Sequence, residues 1–236
     1  MSTTQKVAFL GLGVMGFPMA GHLASKGYDI VVYNRSAAKS EEWLKQHKGS
    51  SASTPREASI GRDIVFACVG NDDDVRSVVY GDNGALAGMG SQAVFVDHTT
   101  ASANLAHELA EAAEEKNVGF IDAPVSGGQA GAENGVLTVM CGGEQSIFEK
   151  VEPVIDSYAR AVTLIGDVGA GQLTKMVNQI WNNRLPKPWI IVKSSISVFS
   201  FSIKKFFTKL TCYSTICFSF FRTPSFGVPF SSWIVF

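Results

Sequence analysis

A glycine trio, a Ser-Gly-Gly turn and one lysine are the residues of this 236-residue sequence best suited to chemistry. Gly11-Leu12-Gly13-Val14-Met15-Gly16 has G-x-G-x-x-G spacing, directly after the apolar run Val7–Leu10 and ahead of a helical pattern. In that setting the first glycine permits a tight turn, the second lets backbone approach a pyrophosphate, and the third allows close helix–strand packing. The helix N-terminus then offers unpaired N–H groups and the positive end of its dipole to the phosphates. A dinucleotide site formed by Gly11, Leu12, Gly13, Val14, Met15 and Gly16 is expected.

Other residues bear on which ligands enter. Tyr33-Asn34-Arg35-Ser36 ends the next apolar run, where an NAD site carries Asp or Glu for the ribose 2′-hydroxyl. Asn34 lacks the charge that would repel a 2′-phosphate, Arg35 can pair with one in bidentate fashion, and Lys39 adds to the positive field. NADP is therefore expected over NAD. Ser126-Gly127-Gly128 follows a strand end, and a hydroxyl beside consecutive glycine N–H groups makes an anion-binding concavity suited to a substrate carboxylate. Lys175 has Gly171 at i−4 and Asn178 at i+3, so the three share one helix face, with the glycine leaving room for a ring or substrate. A lone helical lysine is usually a solvated surface residue, and spacing alone gives Lys175 no role. His98 lies in no motif and reads as a polar loop residue, while Thr99 and Thr100 read as caps for the helix that follows.

These residues need a scaffold, and the apolar pattern supplies one. Strands are expected at Val7–Leu10, Ile30–Tyr33, Ile64–Val69, Ala93–Asp97, Gly119–Asp122, Leu137–Cys141 and Ala161–Ile165. Most are continuously apolar, as in strands covered on both faces. Between them, Met15, Met19 and Leu23 mark a helix stopped by Gly27, and Thr54-Pro55-Arg56-Glu57 reads as a capped helix start. Leu105, Leu109, Ala112 and Ala113 give the stripe of a helix reaching about Lys116. Alternating strands and helices imply right-handed crossovers and a doubly wound α/β domain of Rossmann type.

Three separated motifs resemble the β-hydroxyacid dehydrogenases, the family of 3-hydroxyisobutyrate dehydrogenase, tartronate semialdehyde reductase and, more distantly, 6-phosphogluconate dehydrogenase. The opening stretch Gly11–Ala20 resembles its cofactor fingerprint. Asp122-Ala123-Pro124-Val125-Ser126-Gly127-Gly128, continuing to Gly142-Gly143, resembles its substrate signature, and Gly169–Asn178 resembles its catalytic motif. The resemblance implies hydride transfer between a nicotinamide cofactor and a small hydroxy acid or its semialdehyde. It makes Lys175 the general acid/base, has Ser126, Gly127 and Gly128 hold the substrate carboxylate, has Asn178 orient the substrate, and puts Thr100 near the nicotinamide ribose. It covers residues 5–180. In the full-length family an all-helical second domain follows and supplies the subunit interface of a homo-oligomer. Here that domain is missing, so a homo-oligomer is not carried over to this chain. The expected division is 1–168 for the NADP-binding domain, 169–180 for the start of the interdomain helix and 181–236 for an atypical tail. Such a truncation also admits a cofactor-binding module impaired in catalysis.

Composition bounds the rest. Twenty basic against 21 acidic residues argues against a nucleic-acid binder working through a basic surface. Four cysteines without a C-x-x-C pair leave no structural metal site and point to a reducing compartment. Six residues ending in Lys6 precede the first apolar run with no signal-peptide pattern, so a cytoplasmic protein is expected. All 21 acidic residues lie in positions 1–180, whereas the last 56 residues hold 10 of the 16 phenylalanines and no acid or alanine. Trp189–Ile203 is short for a membrane span and interrupted by Lys193, so membrane attachment is not expected. An intron read through or a frame slip would give so abrupt a change, and a disordered or poorly packed tail is expected.

Overall fold

Val7, Ala8, Phe9 and Leu10 are all buried, yet they belong to two different cores. Val7 and Phe9 pack into one apolar cluster with Leu23, Val32 and Phe66. Ala8 and Leu10 face the other, with Val65, Phe95, Leu105 and Leu109. Successive side chains of a strand point to opposite faces, so a strand buried on both sides must be apolar throughout. Each large side chain so buried contributes about 1.5–3 kcal/mol.

The computed structural model describes residues 5–184. The expectations for the tail, including its disorder and the membrane reading of Trp189–Ile203, lie outside them. The strands are β1 (Lys6–Leu10), β2 (Asp29–Tyr33), β3 (Ser50–Ser51), β4 (Ile64–Ala67), β5 (Val94–Asp97), β6 (Gly119–Asp122), β7 (Val125–Ser126), β8 (Leu137–Gly143) and β9 (Ala159–Gly166). The helices between and after them are α1 (Gly16–Ser25), α2 (Ala37–Leu44), α3 (Pro55–Ser59), α4 (Asp72–Val79), α5 (Ala85–Gly88), α6 (Ala103–Glu114), α7 (Gly128–Glu133), α8 (Gln145–Ile155) and α9 (Ala170–Arg184).

One sheet runs in the order β3-β2-β1-β4-β5-β6-β8-β7, with β9 also paired to β8. All neighbours from β3 to β6 are parallel. The β6–β8 and β7–β8 pairs are antiparallel, and β8–β9 is parallel. This is a doubly wound, mostly parallel α/β fold of Rossmann type. No helix among the described residues is long and apolar enough to cross a membrane.

The seven expected strands form, within a residue or two at their ends. Ile64–Val69 stops at Ala67 because the Val69 N–H turns to the Thr99 hydroxyl, 3.1 Å away. β3 and β7 have only two residues each, too few to show a period in the sequence. α1 ends as expected, with Gly27 at φ +90°. At α3, Thr54 accepts from Glu57 N–H at 3.1 Å, and the Glu57 carboxylate accepts in turn from Ser53 N–H at 3.0 Å. Neither Thr99 nor Thr100 caps α6: Ser102 does, accepting from Leu105 N–H at 3.0 Å.

Candidate active site

The C-terminal ends of β1, β2, β4, β5 and β6 lie along one edge of the sheet, where open α/β folds receive ligands. Gly11 leaves β1 with φ +98°, and a side chain there would overlap the Cys68 carbonyl. A side chain on Gly16 would overlap the Gly11 carbonyl and press on Phe9. Gly13 differs, for a Cβ placed on it would meet nothing within 4 Å. Leu12 is buried beneath the turn, whereas Val14 is exposed and Met15 is half-buried. Helix α1 starts with no side-chain cap, leaving its positive end open beside Gly13. A pyrophosphate fits this cradle, which is tight where packing demands glycine and open where a ligand approaches.

Asn34 anchors the cradle. Its Oδ1 accepts from Leu12 N–H at 2.9 Å, and its Nδ2 donates to the Ser36 carbonyl at 3.1 Å. Arg35 projects into solvent with its side chain 87% exposed and pairs with Asp74 at 3.3 Å. Lys39 is paired within its own helix to Glu42, which offsets the positive field expected of it.

At the end of β5, burial pushes the Asp97 carboxyl up to about 7, against the Thr99 N–H that it accepts at 2.9 Å. Thr99 is buried, and Thr100 beside it is exposed at the ligand edge. His98 lies in the loop after β5, as expected, but is buried there, only 1% exposed. Its Nδ1 lies 2.6 Å from the Ala123 carbonyl and its Nε2 2.8 Å from the Tyr158 hydroxyl. Its ring stacks on Phe66 at 5.6 Å. Burial pushes His98 down to about 4, so it stays neutral near pH 7. Cys68, half-buried nearby, is pushed up to about 12 by burial, which leaves an inert thiol.

The Ser126-Gly127-Gly128 turn leads from β7 into α7, with Gly127 at φ +141° and Gly128 at φ +63°. Ser126 is half-buried, and a Cβ on Gly128 would meet nothing within 4 Å. Helix α9 is fastened beside this turn. The buried Asp122 carboxylate accepts from Gly169 N–H at 2.7 Å and Gln172 N–H at 2.9 Å. Burial raises the Asp122 pKa, and those amides oppose the rise. The Gln172 side chain donates to the Thr99 carbonyl at 2.7 Å and accepts from Ala101 N–H at 3.0 Å, bracketing Thr100. Neither Asp122 nor Gln172 draws a role from the sequence. The only signal is a carboxylate at a strand end and an amide in the first helical turn, both inside motifs already singled out.

Gly171 does not leave space for a ligand. A Cβ there would overlap the Met140 carbonyl and lie 2.8 Å from Asp122, so this glycine lets α9 press onto the sheet. One turn on, Lys175 is only 7% exposed and makes no ion pair among the described residues. Burial lowers its pKa. Another turn on, Asn178 donates from Nδ2 to the Ser126 hydroxyl at 3.3 Å. The opposite face of α9 exposes Leu173, Met176, Val177 and Ile180 at i, i+3, i+4 and i+7. No group of three or more His, Cys, Asp or Glu side chains that could hold a metal occurs among the described residues.

Residues 6–166 match the family model of the NAD binding domain of 6-phosphogluconate dehydrogenase. The chain belongs to this family. Membership assigns a nicotinamide dinucleotide to the domain. Among similar family proteins, an uncharacterized oxidoreductase of Shewanella frigidimarina is 62% identical over 175 residues, 74% of this chain and 60% of that protein. A probable mitochondrial 3-hydroxyisobutyrate dehydrogenase-like protein of Arabidopsis thaliana is 39% identical, covering 74% of this chain and 58% of that one. The chain thus spans about three fifths of the length of the curated relatives it matches. The solved Mycobacterium tuberculosis 3-hydroxyisobutyrate dehydrogenase with L-serine superposes with a TM-score of 0.72 at 26% identity, covering 91% of this chain and 72% of that chain.

Proposed function

We propose that this chain carries the cofactor and proton-transfer machinery of an NADP-dependent oxidoreductase that interconverts a small hydroxy acid with its semialdehyde or oxo acid. The observation that carries the reading is the 3.3 Å contact between Asn178 and Ser126, which draws the Lys175 helix against the Ser-Gly-Gly turn. When bound, the nicotinamide ring supplies or takes the hydride. Gly11, Leu12, Gly13, Val14, Met15 and Gly16 hold the pyrophosphate through backbone N–H groups and the open end of α1. Arg35 takes the 2′-phosphate, Asn34 holds the loop in shape, and Thr100 lies toward the nicotinamide ribose. Ser126, Gly127 and Gly128 bind the substrate carboxylate, while Asn178 orients the substrate.

Lys175 gives a proton to the carbonyl oxygen in reduction and removes one from the hydroxyl in oxidation. Its burial supports this role, since a desolvated ammonium releases its proton more readily than a solvated one. L-serine, present with the Mycobacterium tuberculosis relative, has the same pattern of a carboxylate with a hydroxyl on its β-carbon. A cytoplasmic setting suits the free thiols of Cys68 and Cys141.

A second reading has its own observation. The stripe Leu173–Met176–Val177–Ile180 lies exposed on the face of α9 turned away from Lys175, so among the described residues this helix is covered on the sheet side alone, and a site walled on one side would exclude water poorly. On this reading the chain binds cofactor without turnover. NADPH titration combined with turnover of small semialdehydes separates the two: binding with turnover supports the enzyme, and binding alone supports the module.

A further inference from the structure

Asp72, Asp73 and Asp74 open helix α4, and the first two are committed elsewhere. Asp72 accepts from Ser102 N–H at 3.0 Å. Asp73 pairs with Arg76, whose guanidinium is also held by Glu108 at 2.7 Å. Asp74, half-buried under Gly70, reaches instead across 39 residues of sequence to Arg35 at 3.3 Å. An ion pair this exposed adds little to stability, so the fold does not depend on it.

Asn34 stands where a dinucleotide site often carries its discriminating carboxylate. Here both ends of its amide are engaged, one by Leu12 N–H and the other by the Ser36 carbonyl. The choice between a 2′-hydroxyl and a 2′-phosphate then falls to the next charged pair outward, Arg35 and Asp74.

We infer that Asp74 sets the cofactor preference of this site by competing with a 2′-phosphate for the Arg35 guanidinium. The inference rests on the reading of Arg35 as the 2′-phosphate partner. A 2′-phosphate must break the ion pair and then sit beside the freed Asp74 carboxylate, whereas a 2′-hydroxyl asks nothing of the guanidinium and leaves the pair intact. Arginine admits the phosphate and aspartate holds that preference down, so both NADP and NAD remain within the site's reach.

The test is titration of the full chain with NADPH and with NADH, followed by nicotinamide fluorescence, in wild type, Asp74→Asn, Asp74→Ser, Arg35→Ala and the Arg35→Ala/Asp74→Asn double variant. Both Asp74 variants should tighten NADPH by about three- to tenfold and leave NADH within about twofold. In the Arg35→Ala background the NADPH gain should shrink to below about twofold, because the competition needs the guanidinium. A merely structural defect would move both cofactors together and leave their ratio alone. An unchanged NADPH/NADH ratio in both Asp74 variants, or a shift toward NADH, overturns the inference. If Arg35→Ala weakens both cofactors equally, it is the reading of Arg35 that fails.

Discussion

Asn178 on α9 donates to the Ser126 hydroxyl at 3.3 Å although 52 residues of chain separate them. The contact joins the helix that carries Lys175 to the turn that carries Gly127 and Gly128. It holds Ser126 in a half-buried position from which the hydroxyl can still serve a ligand. Removing the hydroxyl should therefore damage substrate binding and spare the cofactor. Ser126→Ala is expected to raise KM for a small carboxylate substrate by about tenfold, in line with the loss of one hydrogen bond to a charged group. NADPH affinity should stay within about twofold. Steady-state kinetics beside a cofactor titration read both.

The glycine trio separates packing from binding. Gly16→Ala must push its new methyl into the Gly11 carbonyl and Phe9, and should destabilise the domain by about 1–3 kcal/mol. Gly13→Ala meets no protein atom, so unfolding by urea should resemble wild type, while NADPH binding weakens by about tenfold or more. A Gly13→Ala variant with normal NADPH affinity would remove Gly13 from the cofactor cradle.

His98 gives the fold a measurable pH dependence. Its native pKa, about 4, lies below the ordinary 6.5, so between those values the unfolded chain binds a proton that the native one does not. Its contribution is complete above pH 6.5 and drains away as pH falls to about 4, a change of about 3 kcal/mol. Asp97 works in the opposite direction over an overlapping range, since its native pKa is raised to about 7. The comparison that isolates His98 is therefore wild type against His98→Asn. The stability advantage of wild type, measured by urea unfolding, should shrink steadily between pH 6.5 and 4.

Much of this was legible because the determining interactions are local. The run Val7–Leu10 shows its burial in its own residue types, and G-x-G-x-x-G needs only the strand before it and the helix after it. Thr54 and Gly27 announce helix ends through short-range bonding. What escaped depends on partners far along the chain. His98 is a core residue because Tyr158 and the Ala123 carbonyl reach it, 60 and 25 residues away. Asp122 and Gln172 dock α9 through bonds spanning 47 to 73 residues. Gly171 looked like room for a ligand, since its spacing from Lys175 cannot reveal that Met140 and Asp122 fill that room. The two-residue strands β3 and β7 are made by their neighbours' registers, which no period within them could reveal.

In the proposed function Lys175 moves a proton beside a cofactor that the glycine-rich turn holds without it. The most direct measurement is NADPH binding and NADPH consumption with small semialdehydes, compared between wild type and Lys175→Met. Binding should be equal within about twofold, and turnover slower by about a hundredfold or more in the variant. The variant should also be no less stable than wild type, since a buried ammonium is replaced by an apolar chain of similar length. Equal turnover in both proteins would contradict the assignment of Lys175, and binding without turnover in wild type would leave a cofactor-binding module in place of an enzyme.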